Sequence, residues 1–216
     1  MNFRVAAGVA GLAVAALAGA AQADHLSYYN IPNAQTVNVS APGGFNGGAY
    51  AGRGVLTLNG QNELVFCVDL YHDITLGPQN ATYVVQNVTT DSSGAASGTG
   101  TPLTAVQIAD IKGFIQIGMN TNDPDELAAV QSAIWETISP GTVVTTGDPV
   151  LTADLASLLA NEAATAKPGP ITGYYDATGV MQGFGGVPEP AAWAMMLIGF
   201  GLAGGAIRRR PAKAVA

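Results

Sequence analysis

Cysteine is almost absent from this chain of 216 residues, in which Cys67 is the only one. A single cysteine cannot form a disulfide within its own chain, so an internal disulfide is excluded as a source of stability. Cys67 is therefore either a small buried apolar residue or a reactive thiol.

Positive charge is also scarce in the central part of the chain, from residue 24 to residue 187. The cations there are Arg53, Lys112 and Lys167, whereas 14 of the chain's 15 acidic residues lie in the same range. The resulting net charge of −11 makes this part of the surface acidic, and an acidic surface repels nucleic acid and anionic lipid. We therefore expect no nucleic-acid partner and no membrane contact for this range.

Several motifs that mark enzymes and metal proteins are missing. The chain contains no nucleophile elbow, P-loop, dinucleotide-binding fingerprint or zinc pattern. Asp69, His72 and Asp73 match no strong metal-ligand spacing and are typical of a solvated strand end. His72 is also a candidate base for acyl transfer because it lies near Cys67, with a plain surface histidine as the alternative. We expect no enzyme activity, no metal and no cofactor.

A long apolar segment lies near each end of the chain. The first follows Arg4, covers residues 5–20 and ends at Ala21-Gln22-Ala23, which is the small-x-small pattern that signal peptidase accepts. We predict a signal peptide over residues 1–23, cut before residue 24. A helix that stays in place is the alternative.

The second apolar segment covers residues 191–207 and contains no charge. A spanning helix needs roughly 17–25 such residues, so this segment is just long enough to cross a membrane. Arg208, Arg209 and Arg210 follow at once, and such a basic end stays cytoplasmic, which leaves the preceding domain outside. Membrane contact is therefore expected only through this helix.

The tripeptide Pro188-Glu189-Pro190 precedes this segment, and Trp193 follows three residues later. With the apolar segment and the basic end, it resembles the PEP-CTERM sorting signal of Gram-negative bacteria, in the subtype with Trp-Ala after Pro-Glu-Pro. The resemblance implies that exosortase, a membrane transpeptidase-like protease, processes the tail over residues 188–216. It also implies export to the cell surface or extracellular matrix and a link to biofilm biology. A permanent single-span anchor is the alternative.

The remaining residues, 24–187, suit one domain. Its first half is rich in β-forming residues, and Asn59-Gly60 predicts a hairpin turn between two strands. The predicted strands cover residues 36–40, 50–58, 63–70 and 82–88.

The second half of the domain turns helical. Helices are predicted to start after the capping residues Thr104 and Asp123, and a third covers residues 152–166. A Gly-rich stretch over residues 173–186 can supply a last strand. Strands followed by helices and a strand favour an α+β fold.

Gln131 breaks the pattern of the second predicted helix. On a helical wheel Leu127, Val130 and Ile134 share one apolar stripe, and Gln131 falls inside it. A buried amide without partners costs a few kcal/mol, so this one is either hydrogen-bonded, the ordinary case, or chemically consumed. A strand thiol packed beneath it, such as Cys67, can displace ammonia from the amide and form a thioester.

Two short motifs contain these residues: Phe66-Cys67-Val68-Asp69 and Gln131-Ser132-Ala133-Ile134-Trp135. They resemble the strand and helix motifs of the thioester domains of bacterial surface adhesins, in the same order. The departures are Phe66, where tyrosine is usual, and Val130, where threonine often precedes the glutamine. The resemblance implies a β-sandwich or barrel with a helical insertion, and a role in covalent adhesion.

Three functions are consistent with these sequence features. The leading hypothesis is a covalent surface-attachment module, in which a Cys67–Gln131 thioester reacts with an amine or hydroxyl of a partner. The alternative is a non-covalent structural component of the exopolysaccharide or biofilm matrix. A third, an exported enzyme acting on polysaccharide, needs paired carboxylates that the sequence does not locate.

Overall fold

The structure is a computed structural model that describes residues 22–42, 44–88, 101–186 and 200. The predicted signal peptide over residues 1–23 and the predicted tail over residues 188–216 lie outside this description, apart from positions 22, 23 and 200. Among the helices within the described ranges, none combines the length and the apolar character needed to cross a membrane.

Two β-sheets account for the strands of the described ranges. Six strands close an antiparallel barrel in the order β1, β4, β5, β9, β8, β6, and the other three form a separate sheet in the order β3, β2, β7. The strands are β1 (Gln22–Asn30), β2 (Gln35–Ser40), β3 (Asn46–Ala51), β4 (Gly54–Leu58), β5 (Gln61–Cys67), β6 (Gly77–Val88), β7 (Val143–Thr145), β8 (Ile171–Asp176) and β9 (Phe184–Gly186).

Between β6 and β8, the described residues form helices. They are α1 (Ala105–Met119), α2 (Pro124–Ile138), α3 (Pro149–Ala160) and the single turn α4 (Glu162–Thr165). The order of strands, then helices, then strands agrees with the predicted α+β class and helical insertion. Of the two predicted architectures, the structure has the barrel, because β1 pairs with both β4 and β6 and so closes the sheet.

Local signals place the helix starts. Thr104 and Gln107 form a capping box at α1, and the Asp123 side chain accepts from the backbone N–H groups of Asp125 and Glu126 at α2, as predicted. The third helix begins earlier than predicted, because Asp148 caps α3 in the same way.

The predicted strand over residues 50–58 is in fact two strands. β3 belongs to the three-stranded sheet and β4 to the barrel, so the chain changes sheets between them. The turn at Asn59-Gly60 is confirmed, since both residues have positive φ, 48° and 80°, as a two-residue hairpin of this type requires. The strand that carries Cys67 ends at that residue rather than continuing to residue 70.

Helix α2 is buried on almost every side, whereas the sequence predicts one apolar stripe. Its residues from 127 to 135 are all buried, including the small residues Ala128, Ala129 and Ser132. The reason is its position, because α1, α3 and strands of both sheets pack against it. Small side chains allow neighbouring elements to approach the helix closely.

Candidate functional site

Cys67 occupies the last position of β5, where the strand leaves the barrel. β5 pairs with β4 and with the short strand β9, and Cys67 lies opposite Phe184 of β9. The next residue, Val68, still donates its N–H to the carbonyl of Gly183, at 3.0 Å. Cys67 itself is buried, and α2 packs against the strand that carries it. The sulfur therefore lies between the barrel and the helical insertion.

Gln131 of α2 meets Cys67 directly. Its Oε1 accepts from the Cys67 N–H at 2.8 Å, and its Nε2 donates to the Cys67 carbonyl at 2.9 Å. The glutamine is only 1% exposed. The structure thus brings the two predicted residues together and confirms that Gln131 points into the core. It also pairs the amide with backbone, which is the ordinary hydrogen-bonded alternative.

The sulfur of Cys67 has its own set of partners. The side-chain Nε2 of Gln182 lies 2.7 Å from it, the indole Nε1 of Trp135 lies 3.5 Å from it, and the backbone N of Asp69 lies 3.4 Å from it. The thiol can donate to the Asp69 carbonyl at 2.7 Å. Gln182 was not predicted from the sequence.

The surroundings of Cys67 keep it protonated at neutral pH. Burial is the largest cause and the negative charge of Asp69 the next, and together they raise the pKa of the thiol to about 12. A hydrogen bond from Trp135 acts in the opposite direction and is outweighed. Cys67 is therefore a thiol rather than a thiolate in the closed site, and any reaction at the sulfur must also move a proton.

Asp69 fixes the turn that follows β5. It is only 2% exposed, and its carboxylate accepts from the backbone N–H groups of Tyr71, His72 and Gly183 at 3.0 to 3.2 Å. The ring Nδ1 of His72 lies 2.7 Å from Oδ2, the carboxylate oxygen that also accepts from Gly183. His72, a candidate base, is thus joined to the site through Asp69. The carboxylate also ties this turn to the segment before β9.

The remaining motif residues divide into two kinds. Trp135 and Asp69 contact the sulfur, as described above. Phe66, Ala133 and Ile134 are fully buried, and the ring of Phe66 fills the space beside Gly118, where a Cβ would lie 2.3 Å from it. These three residues build the core around the site rather than its chemistry.

A cleft of about 390 Å³ opens close to the site, although neither Cys67 nor Gln131 is among its lining residues. Trp135 and Gln182 lie in its wall, so the two side chains that touch the sulfur also face the cleft. Asp69 and Asp73 contribute acidic groups to the lining, and most of the rest is apolar or aromatic, including Tyr29. A small nucleophile that enters the cleft meets Trp135 and Gln182, the two side chains that touch the sulfur.

No cluster of three or more His, Cys, Asp or Glu side chains suited to a metal ion occurs in the part of the chain that the structure describes. Asp69 and His72 pair with each other, as above.

Gln182 is the site residue that the sequence did not reveal. It lies in the Gly-rich stretch between β8 and β9, 115 positions from Cys67, and no periodic pattern marks it. Only the pairing of β9 with β5 brings it beside the sulfur. One weak feature of the sequence marks Gln182 as a possible site residue: it is a polar amide among mainly small and apolar residues.

Comparison with known proteins bears on the end of the chain. No curated protein and no solved structure matches it. Residues 186–210 match the model of the PEP-CTERM protein-sorting motif. The match begins at the last residue of β9 and contains every predicted sorting residue: Pro188, Glu189, Pro190, Trp193, Arg208, Arg209 and Arg210. This motif indicates an exported protein of a Gram-negative bacterium that is sorted to the cell envelope or surface, with exosortase as its processing partner.

Proposed function

We propose that the domain over residues 24–187 forms an internal thioester between Cys67 and Gln131 and uses it to attach covalently to a partner at the cell surface or in the extracellular matrix. The observation that carries this proposal is that the Gln131 amide is held in a buried site against the backbone of Cys67, at 2.8 and 2.9 Å from its N–H and carbonyl groups. Signal peptidase removes residues 1–23, and exosortase processes the tail over residues 188–216. The domain performs one covalent reaction and is not an enzyme.

Formation of the thioester requires the Cys67 sulfur to reach the side-chain amide of Gln131, which is already held against the Cys67 backbone. The Cys67 sulfur attacks the side-chain carbonyl carbon of Gln131, the thiol proton goes to the departing nitrogen, and ammonia leaves. Negative charge develops on Oε1, which already accepts the Cys67 N–H at 2.8 Å. A fixed donor at an atom where charge develops stabilises the transition state. The reaction needs no proton donor or acceptor other than the Cys67 thiol and the departing nitrogen of Gln131.

In the attachment step, the Gln131 acyl group is transferred from the Cys67 sulfur to a nucleophile of the partner. An amine or hydroxyl of the partner enters the cleft and attacks the Gln131 carbonyl carbon, and the bond to sulfur breaks. The partner becomes bonded to Gln131 through an amide or ester, and Cys67 regains its proton. Burial of both residues protects the acyl group from water until the partner arrives.

A non-covalent structural protein of the extracellular matrix is the second candidate. One observation favours it, because both polar atoms of the Gln131 amide have backbone partners and need no chemistry to satisfy them. In that case Cys67 and Gln131 serve as core residues.

The intact mass of the folded domain separates the two functions. We expect purified protein to be lighter than its encoded chain by one ammonia, and methylamine to add to Gln131 and release one alkylatable thiol. Cys67→Ala and Gln131→Ala should each have the full encoded mass and take up no methylamine. Ser132→Ala is the matched control, since Ser132 is the neighbouring buried polar residue of α2 and bonds only to the Ala128 carbonyl in the described structure. Full encoded mass in the wild type, with no methylamine uptake, would favour the matrix protein.

A further inference from the structure

More N–H donors surround the Cys67 sulfur than a neutral sulfur needs. They come from three separate parts of the chain: the Gln182 side chain from the segment before β9, the Trp135 indole from α2, and the Asp69 backbone from the turn after β5. Thiol and thioether sulfur atoms are weak acceptors. A convergent set of donors is better matched to a sulfur that carries negative charge.

We propose that Gln182, assisted by Trp135, stabilises the negative charge that develops on the Cys67 sulfur when the thioester opens. This inference rests on the proposed function. Gln182 carries the larger share, because its Nε2 is the donor nearest to the sulfur, at 2.7 Å, against 3.5 Å for the indole nitrogen. It is a positioning and charge-stabilising residue that the sequence motifs do not include.

The charge arises in the step that breaks the bond. The partner amine attacks the Gln131 carbonyl carbon, an amide bond forms, and the carbon–sulfur bond breaks with its electron pair moving to sulfur. The amine loses a proton, and the sulfur takes up one proton, so that no net proton is released. The balance is one thioester and one amine converted to one amide and one thiol. Between bond cleavage and protonation the sulfur is anionic.

The surroundings make that anion costly without donors. Cys67 is buried, and Asp69 places a negative charge next to it, so the pKa of the thiol rises to about 12. Hydrogen bonds to a charged acceptor are stronger than those between neutral groups, and more so in a site that excludes water. The donors therefore act mainly on the anionic sulfur and little on the closed thioester.

The amide of Gln182 is held in the orientation that this role requires. Its Nε2 also lies 3.2 Å from the Asp69 carbonyl, so the two hydrogens of the amide have two acceptors. The same side chain lines the cleft, next to the path of the nucleophile. A residue at this place can also act as a simple cover over the sulfur, and the two roles predict opposite effects of substitution.

Two substitutions distinguish donation from covering. Gln182→Met keeps most of the side-chain volume and removes both N–H donors, whereas Gln182→Ala removes volume and donors. We expect both to slow the opening of the thioester by methylamine about tenfold or more, the loss typical of one hydrogen bond to a charged group. Gln86→Met, at a half-buried glutamine of β6, should open at the wild-type rate. Thermal unfolding of each variant checks that the fold is kept.

A wild-type rate for Gln182→Met would overturn the proposal, and faster opening of Gln182→Ala would assign Gln182 the role of a cover instead. A second measurement is the titration of the Cys67 thiol, followed by thiolate absorbance. We expect a higher thiol pKa in Gln182→Met than in the wild type, and equal values would also overturn the proposal. If the wild type shows its full encoded mass, the proposed function fails by itself, and the titration still tests whether Gln182 stabilises the anionic sulfur.

Discussion

Two buried aspartates, Asp69 and Asp110, meet opposite surroundings in this molecule. Asp69 is 2% exposed and receives three backbone N–H groups and the ring of His72. Asp110 of α1 is 4% exposed and instead faces a second acid, Glu162 of α4. Burial alone therefore does not decide what an acidic side chain does. Asp69 organises the turn beside Cys67, whereas burial and the neighbouring Glu162 raise the pKa of Asp110.

The largest expected effect is that of Asp69→Asn. Whichever way the new amide turns, its NH₂ group faces at least one backbone N–H that had an acceptor before. A buried donor without an acceptor costs about 1–3 kcal/mol, so we expect a loss of stability of about 2–3 kcal/mol in denaturant unfolding. Asp73→Asn is the matched control, because Asp73 is an exposed aspartate of the same segment. Equal losses in the two variants would contradict the role given to Asp69.

The same variant tests the charge on the sulfur. Asp69 is the second cause, after burial, of the raised pKa of Cys67. Removal of its negative charge should therefore lower the thiol pKa from about 12, so that alkylation of the opened protein begins at lower pH. An unchanged or higher alkylation midpoint would show that the charge of Asp69 does not reach the sulfur.

Local features of the fold were predictable from the sequence, because neighbouring residues decide them. The turn at Asn59-Gly60, the caps Thr104 and Asp123 and the inward direction of Gln131 all follow from short-range geometry. The predicted contact of Cys67 with Gln131 came from a resemblance and from one wheel position. It was right about proximity, while the thioester itself stays a prediction.

The features that the sequence did not predict depend on pairing between strands that are far apart in the chain. β1 was not predicted, and its first two residues lie inside the predicted signal peptide. β7 and β9 are three residues long, too short to show alternation, and the pairing of β9 with β5 places Gln182 at the sulfur. Helix α3 begins earlier than predicted because Asp148-Pro149 is the same start signal as Asp123-Pro124.

Asp123 is exposed, so the effect of replacing it can be compared with the effects of replacing the buried Asp69 and Asp110. Its side chain accepts from Asp125 N at 2.9 Å and from Glu126 N at 3.3 Å, at the start of the helix that carries Gln131. Asp123→Ala should cost about 1 kcal/mol, because the first-turn amides lose this acceptor and turn to water. Asp123→Asn keeps an acceptor and should stay close to the wild type. A cost for alanine no greater than that for asparagine would mean that the cap contributes little.

The smallest effect, and the one with the opposite sign, is expected for Asp110→Asn. Burial first, and then the charge and hydrogen bond of Glu162, raise the pKa of Asp110. As the pH rises, Asp110 therefore loses its proton at a higher pH in the folded state than in the unfolded state. The contribution of this proton is fully present below the unfolded pKa of an aspartate, about 3.9, and is lost as pH rises through the folded pKa.

An asparagine at position 110 gives Glu162 a permanent N–H donor and removes this loss. We expect Asp110→Asn to unfold at a higher temperature than the wild type at neutral pH, with the difference shrinking toward pH 4. Thermal unfolding of both proteins across that range measures it. The hydroxyl of Thr137 on α2 also contacts Glu162, at 3.1 Å, so Thr137→Val tests whether the acid pair or this hydroxyl holds Glu162 in place. If Asp110→Asn follows the wild type at every pH, the two acids do not share a proton. In that case Asp110, like Asp69, does not make the stability of the fold depend on a proton shared with another acid.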